Sequence, residues 1–362
     1  MLTQTPPAPT IPRSAGLLPV PRRNWLLPAL VAGLIVTIVL SVGVGAVAIA
    51  PVDVLRILAG RLGFDTDVNE TKTVILTTIR LPRVCLGILV GSGLAVAGAA
   101  MQGLFRNPLA DPGLIGISSG ASLAAVLMIV LEVTLFQKLA GLAGYYALSL
   151  VAFAGACGTT LLVYRLARVA GRSVVTTMLL AGIAINALAG ALTGLLTYLA
   201  TDDQLRTITF WALGSLGGAS WTTVLVLLPF MAVVLIGMPR LAKSLNLLAL
   251  GESQAAMLGV NLTRLKRQVI ILATLAVGTS VAVAGVIGFV GLVIPHLIRL
   301  VAGSDHRHVL TGSALGGAIV LTAADALSRT IVAPAELPIG IVTALIGTPV
   351  FIWMLIRQRN LG

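Results

Sequence analysis

Charged positions are so widely spaced along the chain that they divide it into apolar segments. Read from charge to charge, uncharged runs of eighteen residues or more occupy 24–52, 84–105, 112–131, 139–164, 173–201, 207–239, 268–298 and 337–356. A ninth run, 308–324, has seventeen residues. A stretch of about 20 apolar residues matches the hydrocarbon thickness of a bilayer, and only a helix bonds its own backbone there. The run 268–298 is too long for one helix and carries Gly285, Gly288, Gly291 and Pro295, so it reads as two helices joined by a tight turn. The run 207–239 is also too long. Its first part, TITFWALGSLGGASW, is placed at the outer surface, with a helix from about Thr222. The expected fold is all-α and polytopic, with about ten transmembrane helices in one domain over 25–362. The Pro-rich segment 1–24 reads as a disordered cytosolic tail.

Composition agrees with this pattern and adds an orientation. The chain is 57% hydrophobic and 10% charged, too apolar for a soluble protein of 362 residues. Its net charge of +12 comes from basic residues scattered between spans, which fits membrane topology better than nucleic-acid binding. With ten spans and the N-terminus inside, 16 of the 24 Lys and Arg fall on the cytosolic side, against 13 with nine spans. The positive-inside rule therefore favours ten spans with both termini in the cytosol. Of the acids, only Asp111, Glu252 and Asp305 fall inside. Cys85 and Cys157 lie in apolar runs and read as packing residues.

The polar stretches carry the functional clues. Two outer loops stand out, roughly 53–80 and TDDQLRT with its Gly-rich continuation. Inside, RNPLADPGLIGISSGAS joins the second and third spans; Pro108 and Pro112 break helices there, and Asn107 or Asp111 can cap the next one. The basic loop 240–267 contains LALGESQAAMLGVN, residues 248–261, in which Gly251 and Gly259 bracket about two turns with a single acid, Glu252. Such a helix suits docking in a partner's groove or lying in the membrane interface. There is no phosphate-binding G-x-x-x-x-G-K-[ST] loop and no H-E-x-x-H site. His296, His306 and His308 read as structural or surface residues. An ion-coupled secondary transporter is a rival reading. However, Asp325 is the only acid near a span interior, and it lies close to an outer end. No nucleophile–base set marks a membrane enzyme.

Four motifs, IRLPR followed by GLAVAGAAMQGLFRNPLADPGLIGISSGA, LALGESQAAMLGV, GVIGFVGLVIPHLIRL and AELPIGIVTALIGTPVFIWML, resemble the permease subunits of bacterial ABC importers for iron–siderophores, haem and cobalamin. The resemblance extends over nearly the whole chain after residue 25. It implies a multi-pass subunit of the bacterial cytoplasmic membrane, without cofactor, metal or catalytic residues. The partners it implies are a second permease copy in a homodimer, two ATP-binding subunits and an extracytoplasmic binding protein. Residues 248–261 would be the coupling helix, with Gly251, Glu252, Ser253, Ala255, Ala256 and Gly259 meeting the ATPase. Arg329, with Arg56 or Arg61, would dock the binding protein; under the plainer alternative Arg329 pairs with Asp325 at i, i+4. Glu336 and Pro338 would shape the turn into the last span. Asn107, Leu109, Arg172, Thr176 and Thr177 would close a cytosolic gate. Ala181, Gly182, Ala184, Ala187, Gly190 and Gly194 would line the translocation path. ADPGLIGISSGAS resembles haem permeases most, with ferric siderophore and cobalamin as alternative cargoes.

Overall fold

The computed structural model describes residues 25–45, 47–61, 69–131, 146–169, 172–333 and 335–359; the tail 1–24 lies outside them. Among the described residues, eight helices are long and apolar enough to cross a membrane: α1 (Leu26–Gly43), α3 (Glu70–Phe105), α5 (Ala147–Leu166), α6 (Val175–Tyr198), α8 (Trp221–Arg240), α11 (Leu262–Ala284), α13 (His306–Ser328) and α14 (Ile339–Arg359). Two shorter apolar helices, α4 (Ile117–Val130) and α12 (Val290–Ala302), complete the expected ten. The remaining helices are α2 (Pro51–Arg61), α7 (Asp202–Leu213), α9 (Ala242–Ala249) and α10 (Glu252–Met257). A two-residue hairpin, Arg168–Val169 with Arg172–Ser173, links α5 to α6.

The break between α11 and α12 falls among the glycines that predicted it. Gly285 turns with φ +72° against the Trp211 carbonyl, where a side chain has no room. Elsewhere, reading from charge to charge shortened the elements. Within the expected loop 53–80, the described residues 53–61 and 70–80 are helical, and α3 starts at Glu70 rather than near residue 84. Arg80 and Arg83 look like span boundaries in the sequence, but both are buried inside the helix. Pro82 lacks an N–H and crowds the preceding turn, and the turn before it, Ile75–Arg80, is wound as a π-helix. TITFWALGSLGGASW also divides: Thr207–Leu213 completes α7, which opens on a capping box between Thr201 and Gln204. α8 then begins at Trp221.

α3 is the axis of the bundle. It packs against α13, α11, α12 and α8, and its middle turns are buried on every face. Lipid offers no hydrophobic drive between helices, so association rests on close backbone approach. Glycines supply it: a Cβ on Gly91 would strike the carbonyl of Gly317 in α13, and one on Gly98 would strike the backbone of Gly291 in α12.

Candidate functional sites at the two ends of the bundle

One end of the bundle carries α10. Gly251 (φ +117°) and Gly259 (φ +85°) flank it in conformations that an L side chain rarely adopts, so both bracketing glycines are structurally required. Ala255 is buried. Ser253, Ala256, Met257 and Leu258 are exposed, Met257 by 80%. Leu250, just before the helix, is 58% exposed, so an apolar ridge faces away from the bundle. Glu252 does not project toward a partner alone. Both of its oxygens accept from Lys266 Nζ of α11 at 2.8 Å, and the Lys266 side chain is only 4% exposed. The acid that stands out in the sequence thus neutralises a buried cation and ties α10 to the foot of α11.

Beside α10 lies a crevice of about 590 Å3, lined by Arg106, Asn107, Asn246, Arg299 and His306 among others. Arg106 ends α3 in a left-handed cap, and the exposed Asn107 side chain accepts from the Leu109 N–H at 2.9 Å. Arg172 pairs with Val169 in the hairpin, while Thr176 and Thr177 open α6. Among the described residues, no hydrogen bond or ion pair joins the Asn107–Leu109 loop to this segment. His296 and His306 are buried and His308 is exposed; His306 Nδ1 meets Asn246 Oδ1 at 2.8 Å. No group of potential metal ligands occurs among the described residues.

About 35 Å away along α3, at the rise of an ideal helix, lies a buried charge cluster. Arg83 donates to Asp325 of α13 at 2.9 Å and to Glu336 at 2.8 Å. Arg329 pairs with the same Asp325 at 3.1 Å and donates to the Ser41 carbonyl and hydroxyl of α1. Arg80 donates to the carbonyls of Val42, Gly43 and Val47, so it caps the negative end of the α1 dipole. Arg329 was expected to dock a partner, but it is 9% exposed and holds α13 to α1; the i, i+4 pair with Asp325 describes it. Arg56 is exposed on α2, and the side chain of Arg61 lies outside the described residues. The neighbouring Asp53 carboxyl is held below its usual range by a hydrogen bond from Lys72 at 2.7 Å. The sequence reading missed Arg80 and Arg83 because their partners are distant in sequence.

The expected path helix, α6, is the least buried of the eight long apolar helices among the described residues. Ala184, Ala187, Gly190 and Gly194 are exposed, and a Cβ at either glycine would meet open space. Ala181 is half-buried. Gly182, by contrast, is buried and packs under the Leu114 carbonyl of the 3-10 turn Pro112–Ile115. That turn is irregular backbone inside an apolar bundle, and side chains satisfy it. Asn186 donates to Gly113 O at 3.1 Å, Thr159 donates to Gly116 O at 2.8 Å, and Ser119 donates to Asn186 Oδ1 at 2.5 Å. Asn186→Leu should therefore destabilise the detergent-solubilised protein by about 1 kcal/mol, the usual worth of a hydrogen bond between membrane helices. An unchanged melting temperature would show that water or another group replaces Asn186.

A family model described as the FecCD transport family matches residues 33–357. The chain belongs to that family. It is 46% identical over 337 residues to the hemin transport system permease protein HmuU of Yersinia pestis, covering 92% of this chain and 97% of HmuU. It is 41% identical over 342 residues to the vitamin B12 import system permease protein BtuC of Salmonella typhi, covering 94% and 97% of the two chains. A solved structure described as an inward-facing conformation of a metal-chelate type ABC transporter superposes with a TM-score of 0.79 at 32% identity, covering 92% of this chain and 99% of its own. As a FecCD protein the chain is a multi-pass permease of the inner membrane and not an enzyme. A separate ATPase hydrolyses ATP, and a substrate-binding component works with the permease. α10 presents exposed apolar side chains at one end of the bundle, whereas the charge cluster at the other end joins helices of the same subunit.

Proposed function

We propose that this permease carries haem inward across the cytoplasmic membrane. The supporting observation is the 46% identity with a hemin permease across nearly the whole chain, against 41% with a vitamin B12 permease. Two copies assemble about a two-fold axis, with the exposed small residues of the α6 faces beside the route, and each copy binds one ATPase through α10. A wall of Ala and Gly offers a large rigid chelate no strong ligand, which suits passage rather than storage. The α10 end faces the cytosol with both termini, in accord with the bias of Lys and Arg.

Reconstituted with its ATPase and binding protein in liposomes, the chain should support ATP-dependent haem uptake. Uptake of cobalamin or a ferric siderophore without haem would overturn the cargo, and uptake without any ATPase would overturn the class of transporter. Orientation is tested separately. A reporter active only in the cytosol should be active when fused at Gly303, between α12 and α13. An inactive fusion there, with one after Gly362 active, would reverse the assignment of that turn.

A further inference from the structure

α5 and α11 pack together where Gly278 meets Phe153 and Ala156, but they do not close on each other over Cys157–Tyr164 and Arg267–Thr274. Between them runs a groove of about 380 Å3, with Cys157, Leu161 and Tyr164 on one wall and Arg267, Ile271 and Thr274 on the other. The walls are apolar in effect: the Thr160 and Thr274 hydroxyls donate to carbonyls of their own helices, at Ala156 and Ile270. Leu161 and Ile271 in its walls are exposed, so it opens toward the apolar exterior.

The mouth is different. Arg267 lines the groove, and Arg264 stands one turn beyond it on the same face of α11. Arg165 stands one turn beyond Leu161 on α5, and Arg168 follows in the hairpin, whose second strand packs against α11. All four are exposed. Among the described residues no acid lines the groove, and Glu252 is occupied by Lys266.

We propose that this groove binds an anionic phospholipid, with one acyl chain between α5 and α11 and the phosphate at Arg267, Arg264, Arg165 and Arg168. A chain seated in a cleft gains dispersion contact from both helices, where a flat helix surface offers one. Guanidinium groups match phosphate oxygens in pairs, and the excess positive charge favours a lipid without a cation of its own. A second copy meeting this groove across a two-fold axis would set arginine against arginine.

The test uses the complete complex of permease and ATPase in detergent, offered phosphatidylglycerol and phosphatidylcholine of identical chains in equal amounts. Native mass spectrometry should find phosphatidylglycerol retained in preference. Arg264→Gln with Arg267→Gln should lower the ratio of the two lipids at least fivefold, roughly the share of one surface arginine. Arg357→Gln, at the end of α14 beside Trp353, should leave the ratio unchanged. Thr274→Phe, which fills the groove without altering charge, should lower the retention of both lipids. Equal retention by the unaltered complex, a ratio that survives the double substitution, or an equal fall in Arg357→Gln would each overturn the site. So would a disulfide between the Cys157 residues of two copies, because it would put a second copy in the groove.

Discussion

Asp325→Leu should lower the unfolding free energy by about 3–5 kcal/mol, the cost of breaking a buried ion pair from one side. Asp325 is 1% exposed and accepts from both Arg83 and Arg329, so its loss strands two guanidinium groups in an apolar interior. Glu336 relieves only Arg83, and its own side chain is 45% exposed. The double substitution Arg83→Leu, Asp325→Leu should recover part of the loss, because it removes one stranded cation with the acid. Unfolding in mixed micelles measures both variants. A loss below about 1 kcal/mol for Asp325→Leu, the usual worth of an exposed pair, would show that water reaches the cluster.

Met257→Asp combined with Leu258→Asp should weaken assembly with the ATPase by about 2–4 kcal/mol, roughly 30- to 1,000-fold in dissociation constant. These are two of the exposed apolar side chains of the α10 ridge, 80% and 58% exposed, so the permease itself should insert and melt as before. Glu252→Arg should act by another route. It sets a cation against Lys266, loosens α10 from α11, and separates ATP hydrolysis from uptake while leaving the complex assembled. Binding of the purified ATPase to each detergent-solubilised variant distinguishes the two. An unchanged dissociation constant in the double aspartate variant would remove α10 from the interface.

Apolar helices and their glycine punctuation are local properties, and they were legible. The α11–α12 break at Gly285 and the limits of α10 at Gly251 and Gly259 lie where backbone conformation alone demands glycine. What could not be read was set by contacts between distant segments. Arg83 meets Asp325 and Glu336 across separations of 242 and 253 residues, and nothing near it in the sequence distinguishes a buried arginine from a span boundary. Gly182 belongs to the same small-residue pattern as Gly190 and Gly194; only the Leu114 carbonyl above it separates a packed glycine from two exposed ones. Glu252 stood out because it is the lone acid on its helix, but its partner Lys266 lies on the next one.

The glycine crossings along α3 restrict how the permease can change shape. Where Gly91 meets Gly317 and Gly98 meets Gly291, the backbones are already in contact, and no side chain lies between them to swing aside. Sliding α3 along α13 or α12 by one residue would drive the Cβ atoms of Val90, Ser92, Ala97 or Ala99 into those crossings. The three helices are therefore a keel that moves as one piece. Alternation between outward and inward openings has to come from tilting at the rim, where α6 is least covered by its own chain, rather than from shear through the middle of the subunit.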